Sequence, residues 1–391
     1  MLIILLFATG ILLKFTYDPF PGQAYDSIIR LQNELLFGRL IRNIHHWSAN
    51  FLIGVLFLHS LRVFFSGGFY PPRQLNWLFG LILFVCSLVS NFTGYLLPWD
   101  QLSYWAITIC TAMIDYIPLV GTGLRRMIQG GIDIGPVTLR IFYTFHTVVI
   151  PAVLVFIMGL HFWYIRKAGG VVVPLRPGDD PASVKKPVSS GLDLLTKELV
   201  SALVVIGFIL LFSALVDAPL GDKANPGLSP NPAKAPWYFA GLQELLLLFH
   251  PVLAILIAPA MVCGALVSLP YLNYDSDTSG VWFCSVKGRQ LTTISIGGTL
   301  VFAPLGIVCM EFFVKTSIYS GFNSSLISQG IVPMLVGITS LAGYYVILKK
   351  WVSASKNEAI QSVFVVLLFS FIVLTVSGIW FRGEGMTLVW P

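Results

Sequence analysis

The chain is short of charge. Asp, Glu, Lys and Arg make up 11% of its 391 residues against 56% hydrophobic, and a water-soluble fold has no use for that much apolar surface. The basic residues form no block interleaved with aromatics, so the net charge of +6 points to membrane topology and not to nucleic acid. Five cysteines, Cys86, Cys110, Cys263, Cys284 and Cys309, offer no CxxC, no CxxCH and no metal-ligand spacing. That excludes c-type haem attachment by that motif and an iron–sulfur site built by this chain. Met1 opens an apolar stretch with neither a charged region nor a small-residue cleavage site, which argues against a secretory signal. Histidine is scarce as well, at six residues.

What is abundant is long apolar sequence. Nine spans, at residues 1–16, 44–65, 76–97, 141–164, 196–216, 246–271, 291–312, 329–348 and 360–380, mostly have the length of a tilted membrane helix, about 20 residues. The fold class they predict is an all-α integral membrane protein, a four-helix bundle followed by about five further helices. The densest basic stretch, with Arg166, Lys167, Arg176, Lys185, Lys186 and Lys197, places the connection after the fourth span on the negative, cytoplasmic side. Residues 169–195 read as a linker, and residues 217–236, rich in Gly and Pro, as a long ordered loop.

Four of the six histidines form two pairs inside apolar spans, His45 with His59 and His146 with His161, at intervals of 14 and 15 residues. At ~100° and ~1.5 Å per residue, such steps return to within about 40° to 60° of the starting face and separate the side chains by roughly 21 Å. Two such helices facing each other make two bis-imidazole sites stacked across a hydrocarbon layer of ~30 Å, the arrangement of two b-type haems. Ionisable side chains in a bilayer are expensive and usually functional. Arg42 and Arg62 flank the first pair and Arg140 and Arg166 the second, where propionates need cations. Gly80 and Gly94 repeat the interval of 14 on the third span and would let the backbone approach a porphyrin. Gly10 is expected to do the same on the first span; its partner 14 residues earlier would precede Met1, as though the first helix were truncated. His46 and His250 have no partner at useful spacing and read as structural.

The segments RNIHHWSANFLIGVLFLHSLRVFFSGGFYPPR, TGYLLPWDQLSYWA, RIFYTFHTVVIPAVLVFIMGLHFWYIRK and APWYFAGLQELL resemble cytochrome b of the cytochrome bc family of quinol oxidoreductases. The interval of 15 and the motif GLHFWYIRK are similar to the short, photosynthetic-type form, here fused to the equivalent of its small second subunit. The likeness weakens after about residue 285 and returns in FRGEGMTLVWP at the C-terminus. It divides the chain into a di-haem domain (1–168), a linker (169–195), a quinol-site region (196–285) and additional transmembrane helices (286–391).

The resemblance implies a low-potential haem on His45 and His146 at the positive side and a high-potential haem on His59 and His161 at the negative side. It implies quinol oxidation where Pro98 to Trp105 meets Pro236, Trp237 and Tyr238, with one electron passing to a Rieske iron–sulfur protein and the other crossing the membrane to a second quinone site. A c-type cytochrome or equivalent acceptor, a homodimer, proton translocation and a bacterial inner membrane follow from the same likeness. The family carries Pro-Glu-Trp-Tyr where this chain has Ala235-Pro236-Trp237-Tyr238, so Pro236 stands in the glutamate's place. Glu244 is the nearest carboxylate able to act as general base, with Asp100 and Tyr104 as lesser helpers, and Lys167, Asp193 and Glu198 are candidates for proton delivery at the other side. The third haem of photosynthetic relatives hangs from a cysteine ahead of the segment matching Met1, and this sequence has no such residue. Two other classes, a haem-bearing anchor of a membrane dehydrogenase and a transporter, predict respectively no Pro-Trp-Tyr loop and no haem.

Overall fold

The computed structural model describes residues 1–176, 191–312 and 325–390; Lys185, Lys186, the Asp193 side chain and most of the 169–195 linker lie outside the described residues. Among the described residues fourteen α-helices follow one another: α1 Leu2–Lys14, α2 Ala24–Glu34, α3 Gly38–Phe65, α4 Gln74–Tyr95, α5 Gln101–Ala112, α6 Gly121–Gln129, α7 Pro136–Thr144, α8 Ile150–Lys167, α9 Gly191–Leu215, α10 Trp237–Leu248, α11 Ala258–Ser268, α12 Val286–Cys309, α13 Val332–Lys350 and α14 Lys356–Trp380. The described residues contain no β-strand. Eight helical stretches among them are long and apolar enough to cross a membrane, and α1 is a shorter apolar helix of 13 residues. The chain is an integral, multi-pass membrane protein, and its exposed Phe156, Leu203 and Phe302 are where hydrocarbon replaces water as solvent.

Each predicted span coincides with a helix, with one adjustment. The sixth is broken at Phe249 to Pro251, so that α10 stands apart from the membrane stretch Val252–Tyr271; Pro251 has no N–H to continue the helix. Three π-helical turns, Phe145–Val149, Val252–Ile257 and Ile327–Ile331, each end two residues before a proline, Pro151, Pro259 and Pro333. Proline cannot donate to the carbonyl four residues back and crowds it, which favours the wider turn.

The first of these turns contains His146. A π-turn accommodates one extra residue, so the interval of 15 on this helix is equivalent to the 14 of α3, and both histidine pairs keep one face. In the N-terminal half α1 packs on α3, α4 on α8, and α3 touches α4 and α9. In the C-terminal half α14 is packed by α10 and α12. The loop after α9 folds back over the end of α3: Arg42 donates to the Ala218 and Pro219 carbonyls at 2.8 and 2.7 Å, Asn43 holds Ser213 and Ala218, and Trp47 Nε1 donates to Val216 at 2.8 Å.

Candidate functional site

His45 on α3 and His146 in the π-turn face each other with ring centres 6.1 Å apart and planes at 77°. An iron carrying two axial imidazoles, at about 2 Å per Fe–N bond, holds the ring centres about 6 Å apart. The hydrogen bonds decide the tautomers. His146 Nδ1 lies 2.9 Å from the Ser90 carbonyl, which can only accept, so Nδ1 carries the proton. The Thr9 hydroxyl donates to Leu5 O at 2.6 Å and therefore accepts from His45 Nδ1 at 2.9 Å. Both rings keep Nε2 as a free lone pair, which is what a metal requires.

Three of the four histidines rest on a glycine of a neighbouring helix. A Cβ on Gly94 would lie 2.6 Å from His146 Cε1, one on Gly10 would lie 3.3 Å from His45 Cε1, and one on Gly80 would lie 3.5 Å from His161 Cε1. The three glycines thus stand beside the histidine rings, most tightly at Gly94. His161 is half-buried and His59 is exposed. His161 Nδ1 is buried with no hydrogen bond of good geometry, although the Asn76 backbone is close enough to act on it. Asn76 Oδ1 and Arg73 Nε are also buried without partners. Arg73, the N-cap of α4, falls on the same helical face as Asn76 and Gly80, so both unsatisfied groups lie on the face that meets His161 at Gly80. These residues fit a haem: free Nε2 lone pairs on His45 and His146, glycines beside three of the histidines, and at the His161 end an Arg73 whose Nε is unpaired while Nη2 donates to the Ala168 and Gly170 carbonyls.

Sequence reasoning missed Thr9, Arg73 and Asn76; the spacing of 73 and 76 from Gly80 was the available signal. The four arginines chosen by position divide. Arg42 is buried and spends Nη1 and Nη2 on the loop carbonyls, so it acts as a clamp on that loop. Arg62 Nη2 donates to Val172 O at 2.9 Å. Arg140 and Arg166 are exposed. His46 sits 3.3 Å from Asn50 Nδ2, and His250 Nδ1 accepts from the Val252 amide at 3.2 Å, consistent with structural parts.

Around Pro236 the residues converge partly as expected. Pro236 is the N-cap of α10, Trp237 Nε1 donates to Asn50 Oδ1 on α3 at 2.8 Å, and Tyr238 lies near Tyr95 and Cys110. Burial pushes the Tyr238 phenol above its ordinary range, so it stays a neutral hydroxyl. Tyr104 packs with Trp99 in the buried cluster of Leu96, Ile107 and Phe142. Asp100 is the N-cap of α5, accepting from Ser103 N and, through Oδ2, from Gly221 N, both at 2.9 Å.

Glu244 requires a correction. Its carboxylate is fully buried and forked onto Arg382, at 2.5 Å to Nη2 and 3.0 Å to Nε, and it accepts from Ser377 Oγ at 3.1 Å. With its oxygens taken by the Arg382 fork and the Ser377 hydroxyl, this carboxylate faces no quinol and presents no free lone pair toward Tyr238. The geometry therefore opposes the general-base role for Glu244, and it likewise commits Asp100 to structure.

The Cytochrome b/b6/petB family model matches residues 1–169. Cytochrome b6 of Heliomicrobium gestii is 46% identical over 161 residues, 41% of this chain and 76% of that protein. Cytochrome b6 of Synechococcus elongatus is 42% identical over 163 residues, covering 42% of this chain and 76% of that protein. A solved structure, "Hyperthermophilic respiratory Complex III", superposes with a TM-score of 0.64 at 19% identity over 96% of this chain and 88% of that one, so the fold likeness extends past the sequence match through the C-terminal helices. With the opposed histidines, the glycine-lined approaches and these relatives together, the chain belongs to the cytochrome b/b6 family.

Proposed function

We propose that the chain is the di-haem cytochrome b subunit of a quinol-oxidising bc-type complex in a bacterial inner membrane. One b haem is held by His45 and His146, the low-potential centre at the positive side, and a second by His59 and His161, the high-potential centre at the negative side. The observation that carries the reading is the 6.1 Å opposition of the His45 and His146 rings with both Nδ1 atoms bound as donors; His59 and His161 stand one interval along the same helical stretches. Haem bound at the two sites supplies one-electron transfer, and the spacing of ~21 Å spans most of the bilayer core.

The protein's own residues shape the rest. Trp237 is tied to Asn50 on α3, so the Pro236 to Tyr238 turn sits beside the helix that carries His45. Tyr238 offers a neutral hydroxyl to the quinol, and with Pro236 in the place of a carboxylate and with Asp100 and Glu244 engaged, neither carboxylate serves as the general base. Arg73, through its unpaired Nε, would hold a propionate of the His59/His161 haem. A chain with a haem pair and no iron–sulfur or c-type site needs an external first acceptor, which supports a Rieske partner and a c-type cytochrome or equivalent within a homodimer, with protons released and taken up on opposite sides.

The test is a pyridine haemochrome assay on the purified chain with quinol-driven reduction in the assembled complex. Two b haems per chain, with sustained quinol oxidation only when the Rieske protein is present, is the expected result. One haem, or none, contradicts it.

A further inference from the structure

The closing FRGEGM segment is not a passive tail. Arg382, fully buried, reaches three elements at once: Glu244 on α10, Glu311 just beyond α12 at 3.3 Å, and the Met386 carbonyl at 3.1 Å. Ser377, at the end of α14, adds a hydrogen bond to Glu244. The helix it grips is pressed against α14 with no room to spare. A Cβ on Gly241 would lie 2.6 Å from Thr375 Oγ1, and one on Gly378 would lie 2.8 Å from the Ala240 carbonyl. The turn leading into α10 is fastened to the same place: Lys234 Nζ donates to Ile379 O at 2.9 Å, Gln243 bridges back to Ala233 and Ala235 at 2.7 and 2.8 Å, and the Gly385 amide donates to Asn231 Oδ1 at 2.6 Å.

We infer that Arg382 is a positioning residue for the quinol site: through Glu244 it fixes α10, and with it Trp237 and Tyr238, against α14. Glu244 lies six residues after Tyr238 on one rigid helix, about 9 Å along its axis, so the register and tilt of the Tyr238 end are set by where Glu244 is held. A buried pair of this kind is weak evidence for stability but fixes geometry. It also gives the additional helices a task, since Glu311 and Arg382 bring the ends of α12 and α14 to the same anchor. The inference rests on the quinol-oxidation reading, and the two fail differently: if the wild-type complex does not oxidise quinol, that reading fails, whereas a normal variant in an active complex defeats this one.

The experiment measures Arg382→Met and Arg382→Lys in the assembled complex, reading kcat and KM for quinol oxidation, haem content, both haem spectra, and reoxidation of the His59/His161 haem by quinone. Arg382→Met is expected to lower quinol oxidation tenfold or more with haem content and quinone reduction unchanged. Arg382→Lys, which keeps the charge but not the fork, is expected to recover part of the loss, and it carries the test if Arg382→Met does not assemble. Wild-type kcat and KM in both, or a loss that tracks haem content, would overturn the positioning role.

Discussion

Replacing Gly94 by alanine tests the haem cradle at its tightest point. The new methyl would lie 2.6 Å from His146 Cε1, 2.9 Å from Nδ1 and 3.1 Å from Nε2, against roughly 3.5 to 4.0 Å for ordinary carbon contact. The ring has to retreat by about 1 Å, yet Nδ1 is tied to the Ser90 carbonyl, so retreat means losing that bond or tilting Nε2 off the iron. Overpacking of this kind costs about 1 to 3 kcal/mol, which is about a five- to 150-fold weaker haem affinity at that site if the whole cost falls on binding. Gly80→Ala is the control: its Cβ would sit 3.5 Å from His161 Cε1, an ordinary contact, and little change is expected. The assay is a redox-titrated optical spectrum of the two variants with haem counted per chain. Gly94→Ala should lose or shift the component that depends on His146 and spare the other. A normal spectrum for Gly94→Ala beside a lost component for Gly80→Ala would refute the packing argument.

Thr9→Val removes the acceptor for His45 Nδ1–H, and the expected outcome is an altered midpoint potential of the His45/His146 haem at unchanged stoichiometry, read by the same titration. Arg73→Met and Asn76→Leu are expected to affect only the His59/His161 component, because their unpaired atoms lie at that end. Asp217 is held low, at about 2, by hydrogen bonds from Arg39 and Asn43. Its small contribution to holding the 217–236 loop is complete above the ordinary Asp range, near 4, and is lost as pH falls through about 2. Hydrogen exchange at the Ala218 amide should report that loss in the wild type and show it absent in Asp217→Asn.

The opposition of His45 and His146 was legible because side chains on a helix inherit its period, and the apolar spans because a bilayer fixes their length. The interval of 15 was legible only as a mismatch; the π-turn ahead of Pro151 that removes it follows from backbone crowding that spacing alone does not reveal. Thr9 was hidden because a helical threonine ordinarily bonds the carbonyl four residues back, as Thr9 also does to Leu5 at 2.6 Å. Arginines chosen for nearness in sequence to the histidines misled at Arg42, whose partners lie 176 and 177 residues away. Glu244 was misread for the same reason: nothing near it in the chain announces Arg382, 138 residues on. Local spacing reports which face a residue occupies, and long-range pairing decides whether its charge is free.

The most direct test of the account is which histidines share a haem. In single His→Ala variants at positions 45, 146, 59 and 161, optical spectra should fall into two classes, with His45→Ala and His146→Ala removing one b-haem component and His59→Ala and His161→Ala removing the other. If His45→Ala and His59→Ala instead abolish one and the same component, the two sites are not stacked across the membrane as described and the account is wrong.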